Sequence, residues 1–207
     1  MEYEKTNVEQ AHADLTYVEI WGSASACKIK GETIPRLDKV LIEFISFDKD
    51  SKKSTGAIKI YLDFADVIKL RKMIDCGSFK ERAAKNKTSS DEEKKNGGKG
   101  YGKPVFSKQN MGSVSQRKAR SFDIEAPGMQ SAVVLVAREG EADIKDMGGG
   151  KKLITFKDFK SARVIRVPAT IPDIMELAER SYMMFLADMV KDSLNYKSFS
   201  ERNGCTG

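Results

Sequence analysis

Apolar and polar residues alternate through several short stretches of the first third of the chain, the period-2 pattern of half-buried strands, and then give way to a helical stripe. Leu15 to Trp21, Ala26 to Lys30, Val40 to Phe47 and Ala57 to Leu62 read as strands, rich in β-branched and aromatic residues and separated by turn residues. Asp63 is placed to cap a helix from Phe64 to about Ile74. Phe64, Val67, Ile68 and Leu70 to Met73 supply its apolar side, and Gly77 ends it. Further on, Ser121 to Ala126, Ala132 to Ala137, Leu153 to Phe159 and Arg163 to Val167 have strand character. Thr170 then caps a longer helix whose Pro172 suits a first turn and whose apolar positions continue towards Tyr196.

The two series share landmarks, so residues 15–76 and 121–190 read as two copies of one ββββα unit. Ile58 to Leu70 follows the same course as Ile165 to Leu177, with Asp66 matching Asp173 and Leu70 matching Leu177. Lys39 to Phe44 answers Lys151 to Phe156, and Val18-Glu19 with Gly22, Ser25 and Ala26 answers Ile124-Glu125 with Gly128, Ser131 and Ala132. A repeat of about 60 to 70 residues exceeds solenoid periods, which predicts a pseudo-dimer of antiparallel sheets with helices on one side, an α+β fold. The expected division is a polar segment 1–14, a first unit 15–77, a joining segment 78–120, a second unit 121–196 and a tail 197–207. The joining segment holds 12 basic and 4 acidic residues among Gly, Ser and Asn. It is expected to be a mobile linker or a basic hairpin, with Pro104-Val105-Phe106 available as a short strand.

Charge adds a direction. With 36 basic and 30 acidic residues the formal charge is +6, which favours a polyanionic partner. Cys27, Cys76 and Cys205 form no CxxC and suit a reducing cytoplasm. The charged start Met1 to Lys5 leads into no apolar run, and no stretch has the length of a membrane span, so neither leader nor membrane partner is expected.

Period-2 alternation then sorts side chains by face. Val18, Ile20, Cys27, Ile29, Ile42, Phe44, Ile58, Ile60 and Leu62 fall under the helix. Tyr17, Trp21 and Tyr61 collect with Lys28, Lys30 and Lys59 on the other face. That mixture fits a single nucleic-acid strand, whose bases stack on rings and whose phosphates pair with ammonium groups. The corresponding face of the second unit holds Val134, Val136, Thr155, Lys157 and Arg166 with Asp123 and Glu125. Its expected share is phosphate binding through Lys151, Lys152, Lys157, Arg163 and Arg166. The competing reading makes these faces protein interfaces, with Trp21 and the tyrosines as anchors.

Enzyme signatures are weak. His12 is the only histidine and lies in the polar N-terminal segment. Gly97 to Gly102 and Gly148 to Lys152 lack the spacing and setting of phosphate loops. Asp63, Asp66, Asp173 and Asp188 offer carboxylates to a metal, but the first three stand where helix starts want them. No catalytic residue, metal or cofactor is therefore assigned.

A duplicated ββββα unit with a basic, aromatic open sheet resembles the Whirly-like single-stranded-DNA-binding superfamily, to which the transcriptional positive cofactor four is related. The resemblance spans the chain outside the joining segment and tails and rests on repeat order and face chemistry. It implies sequence-tolerant binding of single-stranded DNA, homo-oligomers assembled through helices, and a role in replication or in conjugative transfer by a phage or other mobile element. RNA binding and an accessory role through protein contacts are the alternatives.

Overall fold

The computed structural model describes residues 16–30, 38–95, 104–126 and 133–202. It is an α+β structure with two antiparallel sheets, of four and five strands, and three helices. The first sheet is the meander β1 (Thr16–Trp21), β2 (Ser25–Lys30), β3 (Lys39–Phe47) and β4 (Ser54–Asp63), in that spatial order. β4 runs straight into α1 (Phe64–Asp75). Asp63 accepts from the Asp66 amide and Asp66 from the Asp63 amide, a reciprocal cap that satisfies two otherwise orphaned donors. α1 buries Val67, Leu70 and Met73.

Of residues 78–120, expected as a linker or basic hairpin, those described carry regular structure. α2 (Ser78–Lys95) has strong helix formers in Lys80 to Lys85 and Glu92 to Lys95 and is anchored by buried Phe79 and Ala83. β5 (Phe106–Ser113) then pairs with β6 (Lys118–Glu125). The β5–β6 pair is the expected basic hairpin, longer than the short strand at Phe106 suggested, because an edge strand needs few apolar side chains once a neighbour supplies its hydrogen bonds; α2 was not expected.

The second sheet is organised by β7 (Val133–Asp146), 14 residues long. Its first part pairs with β6 along one edge and with β9 (Arg163–Ala169) along the other, and its last part pairs with β8 (Lys152–Phe156). The neighbour order β5-β6-β7-β9 is thus a four-strand meander like the first sheet, with β8 as an excursion between β7 and β9. This corrects the strand matching. Phe106 to Ser113, not Ser121 to Ala126, holds the place of β1, and Lys152 to Phe156 is not the counterpart of β3. The match of Ile58–Leu70 with Ile165–Leu177 does hold in structure. β9 leads through Thr170 into α3 (Ile171–Arg202), where Thr170 and Asp173 repeat the reciprocal cap, with amide bonds of 2.7 and 3.3 Å.

Both sheets and all three helices share one apolar core. Phe44 of β3 and Phe122 of β6 meet with ring centroids 5.8 Å apart, and α1 and α3 join through Phe64 against Tyr182 and Phe185 and an Arg71 to Glu179 ion pair of 2.9 Å. β9 lies on the β1–β2 turn: the Ser25 hydroxyl donates to the Arg166 carbonyl at 2.6 Å, and a Cβ at Gly22 would stand 2.9 Å from Pro168. Lys108 of β5 grips the α1 cap, 2.6 Å from Asp66 and 3.1 Å from Asp63. Burial works against its charge, yet these hydrogen bonds hold its ammonium above the ordinary range. No described helix is long and apolar enough to cross a membrane.

Candidate nucleic-acid interface

Register across the first sheet arranges its outer face in rows. Trp21, Ala26, Ile45 and Ala57 form one; Glu19, Lys28, Glu43 and Lys59 form the next; Lys30, Leu41 and Tyr61 form a third. Trp21 stands in water with 57% of its surface exposed, while Ala26 and Leu41 are buried. Phe47 stacks on Trp21 at 5.8 Å with planes 16° apart, and the Lys28 ammonium lies 4.9 Å from the indole centroid. Of the expected residues, Trp21, Lys28, Lys30, Lys59 and Tyr61 therefore share one face. Tyr17 falls at an irregularity in the β1–β2 register, and its side chain is outside the described residues.

The middle row alternates in sign. Lys28 pairs with Glu19 at 2.8 Å, and Glu43 takes Lys30 at 3.2 Å and Lys59 at 4.0 Å. The Lys28 hydrogen bond, with the Trp21 indole, holds the Glu19 carboxyl below the ordinary range. Three ammoniums against two carboxylates leave this face only weakly positive. Glu43, Ile45 and Phe47 were missed, although the alternation that buries Ile42 and Phe44 also turns these three outward.

The expected residues of the second unit do not gather on an open face. Lys151 and Lys152 lie at the end of the β7–β8 hairpin, beside the glycine turn at Gly148, Gly149 and Gly150, all in the left-handed region. Lys157 pairs with Glu141 at 2.9 Å. Arg166 is exposed on β9 opposite Val136. Arg163 lies at the edge of the first sheet, where its guanidinium donates to the Ala57 carbonyl and occupies the space a side chain at Gly56 would need.

Over β5, β6 and β7 the outer face of the second sheet is covered by the chain itself, while on β9 Val164, Arg166 and Pro168 stay exposed. Gly112, Ala119 and Gly140 form a row of small residues across β5, β6 and β7. A Cβ at Gly112 would stand 2.9 Å from Ile154, and one at Gly140 3.2 Å from Phe156, so β8 lies directly on this row. Next to it Arg138, buried, binds Asp123 and reaches Glu125 at 2.8 Å, with Phe159 over its guanidinium at 5.3 Å. Burial pushes the Asp123 carboxyl up, against the Ser107 hydrogen bond and the Arg138 charge. The acidic pair Asp123 and Glu125 expected on this face is thus consumed internally.

Asp63, Asp66 and Asp173 serve the helix caps, and among the described residues no group of three or more His, Cys, Asp or Glu is placed to hold a metal. His12 lies outside the described residues. Compared with known proteins, the chain matches no family model, no curated protein and no solved structure.

Proposed function

We propose that this chain binds single-stranded nucleic acid, DNA in the first place, without sequence preference along the outer face of the first sheet. The observation that carries the reading is Trp21, more than half exposed and flanked by Phe47 and Lys28, with Lys59 on the same face at the far edge of the sheet. More than half of the Trp21 surface stays open to solvent beside Phe47, and a base stacked there is worth about 1 to 3 kcal/mol. The two meanders, each ending in a capped helix, support the Whirly-like, pseudo-dimeric resemblance, and with it a cytoplasmic role in replication or conjugative transfer without enzymatic chemistry. Met183, Met189 and Val190, exposed on α3, support homo-oligomers formed through helices.

One observation favours a second reading. The lysines of the face are already paired with Glu19 and Glu43, the condition of a protein-docking surface anchored by Trp21 and Phe47. Fluorescence-anisotropy titration of labelled single-stranded DNA, matched duplex and matched RNA at two salt concentrations separates them. The nucleic-acid reading expects preferential binding of the single strand, weakened about 5- to 150-fold by Trp21→Ala. An RNA preference would move the reading to RNA. Absent binding to all three probes, or an unchanged affinity in a folded W21A variant, overturns it.

A further inference from the structure

Three cations converge on one carboxylate at the end of the second sheet. Glu139 of β7, whose side chain is only 10% exposed, receives Arg120 at 2.7 Å, Lys118 at 3.0 Å and Arg163 at 3.5 Å. The Lys118 and Arg120 hydrogen bonds outweigh burial and hold Glu139 below the ordinary carboxylate range, so it is charged at neutral pH. One carboxylate neutralises one cation, which leaves two positive charges over. The neighbourhood does not absorb them. Glu141 is taken by Lys157 at 2.9 Å and also feels the charge of Arg117; with Asp143 of the same groove counted in, five cations face three carboxylates. Lys118 and Arg163 are each nearly half exposed, and Lys118 and Glu139 line a concavity of about 720 Å³ together with Gln116 and Lys157.

We infer that Lys118, Arg120 and Arg163, held in a fixed fork by Glu139, form a phosphate-binding site. Convergent donors that carry surplus charge and are already immobilised suit a phosphate, since little side-chain entropy remains to be lost when the anion enters. Glu139 is a positioning residue: it fixes the fork and does not touch the anion. The site also has a place in the strand's path. Arg163 holds the Ala57 carbonyl, and Ala57 ends the row that Trp21 begins, about 14 Å away at three strand spacings. A strand stacked on Trp21 thus reaches the cluster by passing over β4. In that path the inference rests on the nucleic-acid reading; the phosphate chemistry of the cluster does not.

The test uses the full chain and two probes. With single-stranded DNA, the slope of log affinity against log salt should become shallower by about 0.7 for Lys118→Gln and about 1.4 for Lys118→Gln with Arg163→Gln, in wild-type and W21A backgrounds alike. With tripolyphosphate, the Nε–Hε NMR signals of Arg120 and Arg163 should shift on titration, and the Arg120 signal, which the double variant retains, should cease to shift there. Lys118→Gln alters an exposed side chain and keeps the test valid should the double variant fold poorly. Tripolyphosphate binding at the cluster without oligonucleotide binding would uphold the site and sink the reading of the sheet face. DNA binding that depends on Trp21, with unaltered salt slopes and unmoved arginine signals, would overturn the site and leave that reading standing.

Discussion

Replacing Phe122 by Ala probes whether the two sheets fold as one body. Phe122 is fully buried on β6, and its ring meets Phe44 of the first sheet at 5.8 Å and Phe106 at 6.0 Å. Truncating a buried phenylalanine costs about 3 to 5 kcal/mol, and two lost ring contacts place this site at the upper end. For a chain of this size each kcal/mol lowers the melting temperature by about 2 to 4 °C, so a fall of about 8 to 20 °C is expected. The assay is urea and thermal unfolding followed by far-ultraviolet circular dichroism and by fluorescence of Trp21, the only tryptophan. The substitution lies in the second sheet and the reporter in the first. With a shared core, both signals move together in a single transition, and a Phe44→Ala, Phe122→Ala cycle returns a coupling of about 0.5 to 1.5 kcal/mol. A Trp21 transition that keeps its wild-type midpoint while the dichroism signal acquires an early phase would refute the single core.

Arg138→Gln should cost about 3 to 5 kcal/mol in urea unfolding at pH 7, because it strands the Asp123 carboxylate in a buried setting. Burial already holds the Asp123 folded pKa above its unfolded value, so its contribution to stability is full below that value and is lost as pH rises through the folded one. Without Arg138 the folded pKa climbs further, so the deficit of the variant should shrink at pH 4; a deficit that grows on acidification would contradict this. Gly140→Val should push β8 off the sheet at a cost of about 1 to 3 kcal/mol, seen as faster amide exchange at Ile154 and Phe156, whereas unchanged exchange would show that the small-residue row does not seat it. In a Cys205→Ser background, a thiol reagent should label Cys76 rapidly and Cys27 only on unfolding. Cys76 is exposed, with its thiol held below the ordinary range by Ser78, while burial pushes Cys27 up; two fast labels would argue against the placement of Cys27 in the core.

The first sheet was legible because each of its strands is short, alternates cleanly and pairs with its neighbours in sequence. The Asp63 and Thr170 caps were legible for a similar reason, since capping is written within four residues. β7 was not. Its second part, Arg138 to Asp146, is mostly charged, and its partners come from three separate strands, which no local pattern encodes. The apparent likeness between Lys39–Phe44 and Lys151–Phe156 is two apolar runs answering to different surroundings, one inside a meander and one lying on a sheet. For the candidate site, alternation found Trp21 and the lysines, but their pairing with Glu19 and Glu43 is a cross-strand property fixed by register. The Glu139 cluster is harder still to read, because its three cations come from two strands that flank β7.

The row of Gly112, Ala119 and Gly140 has a bearing on stoichiometry. By seating β8, it spends the β5–β7 part of the outer face of the second sheet within the molecule, while the first sheet keeps an indole in the solvent. The two similar meanders therefore have unlike outer faces, and a ligand that stacks on the exposed indole would find one such place in each molecule. Coating a long ligand would then take as many molecules as there are stretches to cover, and the unlike halves of each molecule would give every bound copy a head and a tail.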